Sequence, residues 1–407
     1  MDILKKATDF MMDVGIHPAL SGIEKISRDF AAEMERGLAG EGGSLKMLPT
    51  YVPAAPPPAS EEPVIALDAG GTNFRRALVE FRGGAPRVTR MYATGMPGMD
   101  SEITLNDFLD FICEQIEPLL TKSQRLGFCF SYAFEATPEF DGRIIGLSKE
   151  VRISDIEGVM LGDALRARLR EAVPDLRFAM LNDTAACLLG GVAEHGLRGS
   201  AAGLIIGTGL NMAYTVRGAE IKKLPAAGDM IVNMEAGGFN LLPFGEPDKL
   251  LDARTKNPGE HLFEKMVSGA YMGAVALEAL RLAALRGLLS EETSREIFRL
   301  RSMDTRESDL LLGLDAPLNG NSDDSLVIKT LIASIYERAA RLVCAMLRAV
   351  CERAGGRLFL TVDGSVFYKS RVFREALLRL IAESGLDIEL QRAENGNLTG
   401  AALAALS

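Results

Sequence analysis

Three short polar segments in this 407-residue sequence have the residue types to hold phosphate and move a proton. In Leu67-Asp68-Ala69-Gly70-Gly71-Thr72-Asn73-Phe74-Arg75, adjacent glycines stand between two apolar runs. Without Cβ atoms in the way, backbone N–H groups there can turn towards an anion. Thr72 and Asn73 add side-chain donors, and Asp68 at the end of the first run can hold hydrated Mg²⁺. Gly207-Thr208-Gly209, followed by Asn211, repeats this logic. Two such turns facing each other across a cleft would grip a triphosphate from both sides, whereas either alone is an ordinary polar hairpin tip. No Gly-x-x-x-x-Gly-Lys-Ser/Thr occurs, which excludes a P-loop as the phosphate device. The third segment, Leu181-Asn182-Asp183-Thr184, has two readings. Asn or Asp at a helix start commonly caps it. Alternatively, Asp183 is a general base that accepts a sugar hydroxyl proton during phosphoryl transfer.

Further polar clusters suit a sugar, whose hydroxyls each donate and accept. They are Ser131, Ser148-Lys149, Asn233 with Glu235, and Glu264 within Phe263-Glu264-Lys265-Met266. Taken singly, Lys149 and Glu264 are ordinary solvated side chains.

The elements that must position these residues read as alternating strands and helices. Residues 3–39 are helical with a break near Gly15–Pro18, and a stiff connector carries Pro53, Pro56, Pro57 and Pro58. Val64 to Leu67 and Arg76 to Phe81 form a hairpin about Gly70-Gly71. An amphipathic helix over 104–120 and strands at 125–130 and 177–181 follow, with a helix near 160–172. Strand, glycine turn, strand recurs from Ala202, which predicts a duplicated α/β unit. Helices over 261–286 and 325–354 and a strand over 357–362 complete the pattern, which predicts mixed sheets with helices on their faces.

Composition narrows the function classes. A net charge of -10 opposes a nucleic-acid or anionic-membrane surface as main partner. The long apolar stretches are interrupted by charges such as Glu278 and Arg338, so none reads as a membrane span. The N-terminus mixes acids and bases, unlike a signal peptide. Five cysteines without Cys-x-x-Cys spacing suggest buried thiols, and the expected address is the cytoplasm.

Taken together and in this order, the segments resemble the hexokinase family. The resemblance runs from Leu45 to Val52, including Pro49-Thr50-Tyr51-Val52, through Leu67–Arg75, Phe130-Ser131, Ser148-Lys149, Asn182-Asp183-Thr184 and Gly207-Thr208-Gly209. It continues in Asn233-x-Glu235, Asn257-Pro258-Gly259, residues 263–269, Asp363-Gly364-Ser365-Val366 and Gly400-Ala401-Ala402. It implies a two-domain actin-like ATPase fold, a duplicated ribonuclease H-like α/β architecture with an inter-domain cleft. Residues 61–186 plus 394–407 would form the small domain, and 1–60 plus 187–393 the large one. It also implies ATP-dependent phosphorylation of a hexose, glucose foremost, at its 6-hydroxyl, with Mg²⁺ as cofactor and a monomer or homodimer as assembly. By the same resemblance Asp183 is the base and Lys149 supports the reacting oxygen. Ser131, Ser148, Asn182, Asn211, Glu235 and Glu264 would contact the sugar. Gly70, Gly71, Thr72, Asn73, Arg75, Gly207, Thr208 and Gly209 would lie near the phosphates, and Gly364 and Ser365 near the adenosine.

The sequence departs from the family pattern in places. Ser148 and Glu150 flank the lysine where Thr and Gly are usual, Ala133 replaces a proline, and Ala236 stands where Trp is common. These departures bear on specificity and turnover. The rival expectations are a catalytically weak sugar-binding sensor and a kinase of the same superfold with another substrate. Intact Asp183 and both turns oppose the sensor. The absence of a cysteine-rich cluster opposes the zinc-bearing bacterial glucokinase type.

Overall fold

The computed structural model describes residues 2–56, 62–147, 151–315 and 317–407. The first sheet is built from β1 (Val64–Ala69), β2 (Asn73–Arg82), β3 (Ala85–Gly95), β4 (Arg125–Phe130) and β5 (Arg177–Leu181). Their spatial order is β5-β4-β1-β2-β3. β1, β2 and β3 pair antiparallel, and β4 and β5 extend the sheet in parallel from β1. The second sheet contains β6 (Ala201–Ile206), β7 (Leu210–Val216), β8 (Met230–Asn233), β9 (Arg357–Asp363) and β10 (Asp387–Gln391). Its order, β8-β7-β6-β9-β10, and its parallel and antiparallel pairs repeat the first sheet strand for strand. A two-residue strand, Leu48–Pro49, extends it beyond β8. The duplication expected from the recurring glycine turns is therefore present. β1 is buried on both faces, which is why its sequence is a continuous apolar run ending in Asp68.

Equivalent helices follow the last strand of each repeat, Asp183–His195 after β5 and Gly396–Ala404 after β10. The two are exchanged. Asp183–His195 packs on β6, β7 and β9 of the second sheet, and Gly396–Ala404 packs on β1 and β4 of the first. The two helices also pack on each other. Glycine makes these approaches possible. A Cβ on Gly400 would stand 1.9 Å from the Ala186 carbonyl oxygen, and one on Gly127 would stand 2.0 Å from that of Ala401. The interface between the sheets is a separate apolar cluster that includes Val64, Ala66, Leu188, Ala213 and Ala401.

The structure corrects one helix. The expected helix over 261–286 is two, Leu262–Val267 and Met272–Leu285. Between them, Gly269 N–H donates to the Gly207 carbonyl at 2.7 Å and Ala270 N–H to that of Thr208 at 3.2 Å. The helix breaks because its amides serve the second glycine turn. β3, β8 and β10 were not anticipated. β3 is mostly exposed and carries Arg87 and Arg90, so it lacks the apolar alternation that marks a strand.

The expected helix over 325–354 is Ser322–Arg353, capped by Asn321. Arg338 on this helix is fully buried against Asp248, to which it donates at 2.6 and 2.7 Å. Cys129, Cys187, Cys344 and Cys351 are buried and Cys113 half-buried, all as free thiols. Among the described residues no helix is long and apolar enough to cross a membrane.

Candidate functional site

The first glycine turn joins β1 to β2, and the protein occupies its carbonyls from behind. Ser131 N–H donates to Ala69 at 3.1 Å, Met96 N–H to Thr72 at 3.0 Å and Gly70 N–H to Asn73 at 3.0 Å. The Tyr132 hydroxyl donates to Gly70 at 2.8 Å. Thr72 and Asn73 remain exposed, with Asn73 Nδ2 donating to Thr72 Oγ1 at 3.0 Å. The Asp68 carboxylate is buried. Its Oδ2 accepts from Arg75 Nε at 2.9 Å and also from Arg75 Nη2. Burial lowers the Arg75 pKa, but the charge and hydrogen bond of Asp68, with the charges of Cys129 and Asp363, together outweigh it and hold the guanidinium above its ordinary range.

The second turn joins β6 to β7 and closes through Gly207 N–H to the Gly209 carbonyl at 3.0 Å. Gly364 lies against it at φ 111, where an added Cβ would stand 2.2 Å from the Ile206 carbonyl oxygen. Only glycine fits there, and this brings the Gly364-Ser365 backbone beside Gly207.

Asn211, Glu235 and Glu264 converge on the same wall. Asn211 Nδ2 donates to Asn233 Oδ1 at 2.9 Å, and Asn233 Nδ2 donates to Glu235 Oε1 at 2.8 Å. Glu235 sits in the left-handed region at φ 53, held by Asn211 Oδ1, which accepts from Ala236 N–H at 3.0 Å. Glu264 Oε2 accepts from Leu210 N–H at 3.0 Å, immediately after Gly209. The carboxylate of a predicted sugar ligand is thus bonded to the backbone of a predicted phosphate turn.

Asp183 opens the helix Asp183–His195, but the capping bond comes from its neighbour. Asn182 Oδ1 accepts from Thr184 N–H at 3.1 Å and from its hydroxyl at 2.8 Å. Two buried thiols register the charge around Asp183. Burial first, then Asp68 and Asp183, push the Cys129 thiol well up. Burial, Asp363 and Asp183 do the same at Cys187. Asp183 is therefore within electrostatic reach of both thiols, one of which also faces Asp68 and the other Asp363. Ser148 and Lys149, with Glu150, lie outside the described residues.

A cavity of about 490 Å³ opens beside the first turn, lined by Arg75, Asp363, Arg392, Glu394, Asn395 and Asn397. Its lining does not include Asp183 or Glu235. Asn397 Nδ2 reaches Asp68 Oδ1 at 3.5 Å, and Asn397 Oδ1 is buried with no protein donor. An unsatisfied amide oxygen on the side chain that meets Asp68 suits the water shell of a hydrated cation, whose waters donate. Among the described residues no group of three or more His, Cys, Asp or Glu could hold a metal, so a cation here would draw most of its ligands from water and phosphate.

Sequence reasoning missed Tyr132, Asn397 and Lys265 as parts of this site. Lys265 is buried, and its Nζ donates to Asp252 Oδ1 at 2.6 Å, Thr255 Oγ1 at 2.9 Å and the Asn257 carbonyl at 2.7 Å. It thereby locks the loop that precedes Glu264. The available signal was a lysine directly before Met266-Val267 in a short helix whose other residues, apart from Glu264, are apolar, a position charges rarely occupy unpaired.

A family model described as hexokinase matches residues 201–407, and another of the same description matches residues 17–192. Hexokinase-2 of Oryza sativa subsp. japonica is 30% identical, covering 94% of this chain and 87% of that protein. Hexokinase-1 of Spinacia oleracea is 30% identical, covering 100% and 91%. In fold, the chain is similar to a hexokinase from Schistosoma mansoni complexed with glucose, with a TM-score of 0.81, 23% identity, and coverage of 99% of this chain and 98% of that one. A ROK hexokinase from Thermus thermophilus matches more loosely, with a TM-score of 0.55, 19% identity and coverage of 84% and 97%. With the duplicated sheets and both glycine turns in place, the chain belongs to the hexokinase family.

Proposed function

We propose that this enzyme transfers the γ-phosphoryl group of ATP to the 6-hydroxyl of a hexose, with glucose the preferred substrate, giving hexose 6-phosphate and ADP at the entry to glycolysis. The observation that carries this reading is the Glu264 to Leu210 N–H bond, which joins the wall of polar side chains to the second glycine turn. A sugar and a phosphate bound there would share one rigid frame.

In this reading Asn182, Asn211, Glu235 and Glu264, with Ser131 and Ser148, hold the hexose hydroxyls. Asp183 takes the proton of the 6-hydroxyl as its oxygen attacks the γ-phosphorus, and the bond to the β,γ-bridging oxygen breaks, leaving ADP. Lys149 steadies the reacting oxygen. The turns at Gly70–Asn73 and Gly207–Gly209, with Arg75, hold the phosphates, and Gly364-Ser365 lies by the adenosine. Bound Mg²⁺ would neutralise phosphate charge, held through water by Asp68 and Asn397. For that, Asp68 must keep Oδ1 for the ion's water while Arg75 occupies Oδ2.

The cleft divides residues 61–186 plus 394–407 from 1–60 plus 187–393. Sugar bridging both sides would drive closure and exclude water, so hydrolysis of ATP without sugar should be slow. A coupled assay for ADP release with MgATP, with and without glucose, tests this. High sugar-independent turnover would sink the closure account. Glu235→Gln is expected to raise the KM for glucose about ten-fold or more, since a charged hydrogen bond contributes about 1.5–3 kcal/mol. An unchanged KM would remove Glu235 from the sugar wall.

A further inference from the structure

We infer that Tyr132 is a positioning residue for the nucleotide: by holding the Gly70 carbonyl it aims the Gly71 N–H outward, at a phosphate. This rests on the reading of residues 70–73 as a phosphate turn. Tyr132 leaves the end of β4 directly after Ser131, and its hydroxyl donates to the Gly70 carbonyl at 2.8 Å. Tyr132 is 3% exposed, and its ring packs on Phe130 with centroids 4.9 Å apart. The core therefore fixes where the hydroxyl sits. Burial pushes the phenol up to about 12, so it remains a donor throughout the neutral range.

The consequence follows from peptide geometry. The Gly70 carbonyl and the Gly71 N–H belong to one peptide unit, and in a trans peptide the two point in opposite directions. No cis peptide bond is present among the described residues. Drawing the carbonyl in towards Tyr132 therefore sends the N–H away from the protein. Glycine on both sides of this peptide leaves little steric resistance to a flip. A flip would turn a carbonyl oxygen, rather than a donor, towards an anion. Ser131 N–H holds the preceding carbonyl, Ala69, at 3.1 Å. The strand end that carries a proposed sugar contact thus sets two consecutive peptides of the turn.

The test is Tyr132→Phe, which removes one oxygen and keeps the packed ring. Affinity for MgADP would be measured by calorimetry, the KM for MgATP and for glucose by coupled assay, and stability by thermal melting. MgADP affinity is expected to fall roughly 3- to 10-fold, the scale of one hydrogen bond, and the KM for MgATP to rise in step. The KM for glucose should stay within about two-fold and the melting midpoint should shift little. A merely structural role would move the midpoint and both substrates together, and that pattern overturns the inference. So does nucleotide affinity unchanged within about two-fold. If the unsubstituted enzyme bound no MgADP at all, the reading of the turn itself would fail, and this inference with it.

Discussion

Asp183→Ala is expected to lower kcat for hexose phosphorylation by about 10²–10⁴-fold, the range a positioned general base contributes. The effect should fall on kcat far more than on the KM for MgATP, because the proposed role of Asp183 is at the hydroxyl rather than at the phosphates. Stability provides the control. A carboxylate in the first turn of a helix favours it by about 0.3–1 kcal/mol through the helix dipole. The capping bond itself belongs to Asn182 and survives the substitution. A loss of activity that tracked a large loss of stability would point to folding. Equal turnover in the two proteins, measured as ADP release with glucose and MgATP, would remove Asp183 from the chemistry.

The second large effect is on the fold. Asp248→Ala leaves the Arg338 guanidinium buried without its partner, and breaking such a pair costs about 3–5 kcal/mol. Gly245 N–H also loses its acceptor, Asp248 Oδ2, at 2.9 Å. The denaturation midpoint should fall sharply. Asp248→Leu combined with Arg338→Met should recover most of the loss, because replacing both charges with apolar groups is often neutral or stabilising. If the single and double variants melted alike, the pair would not be what joins the helix Glu246–Asp252 to Ser322–Arg353.

Much of this architecture was legible because its signals are local. Paired glycines between apolar runs marked both turns, and the doubly buried β1 announced itself as a continuous apolar stretch. Other parts were not legible because their cause is remote. The helix over 261–286 carries helical residues throughout, and only the carbonyls of Gly207 and Thr208 explain its interruption. β3 forms because β2 offers it an edge, not because its own residues alternate. The site shows the same division. Asn182 and Asp183 were both legible as polar residues at a helix start, but which one caps the helix depended on a rotamer. Tyr132 reads as a core aromatic until its hydroxyl is seen on Gly70. Asn397 is far from Asp68 in the chain and reaches it only through the exchanged helix.

That exchange also bears on how the chain matures. During translation, the face of the first sheet that meets Gly396–Ala404 has no cover until the whole of the second repeat has been made. At about 5–20 residues per second the interval is on the order of tens of seconds. Val64, Ala66 and Cys129 would spend it awaiting Ala401 and Ala402. A nascent chain in that condition is a natural client for a holding chaperone at the ribosome, and a stop codon just ahead of residue 396 should yield aggregate instead of a soluble, nearly full-length product.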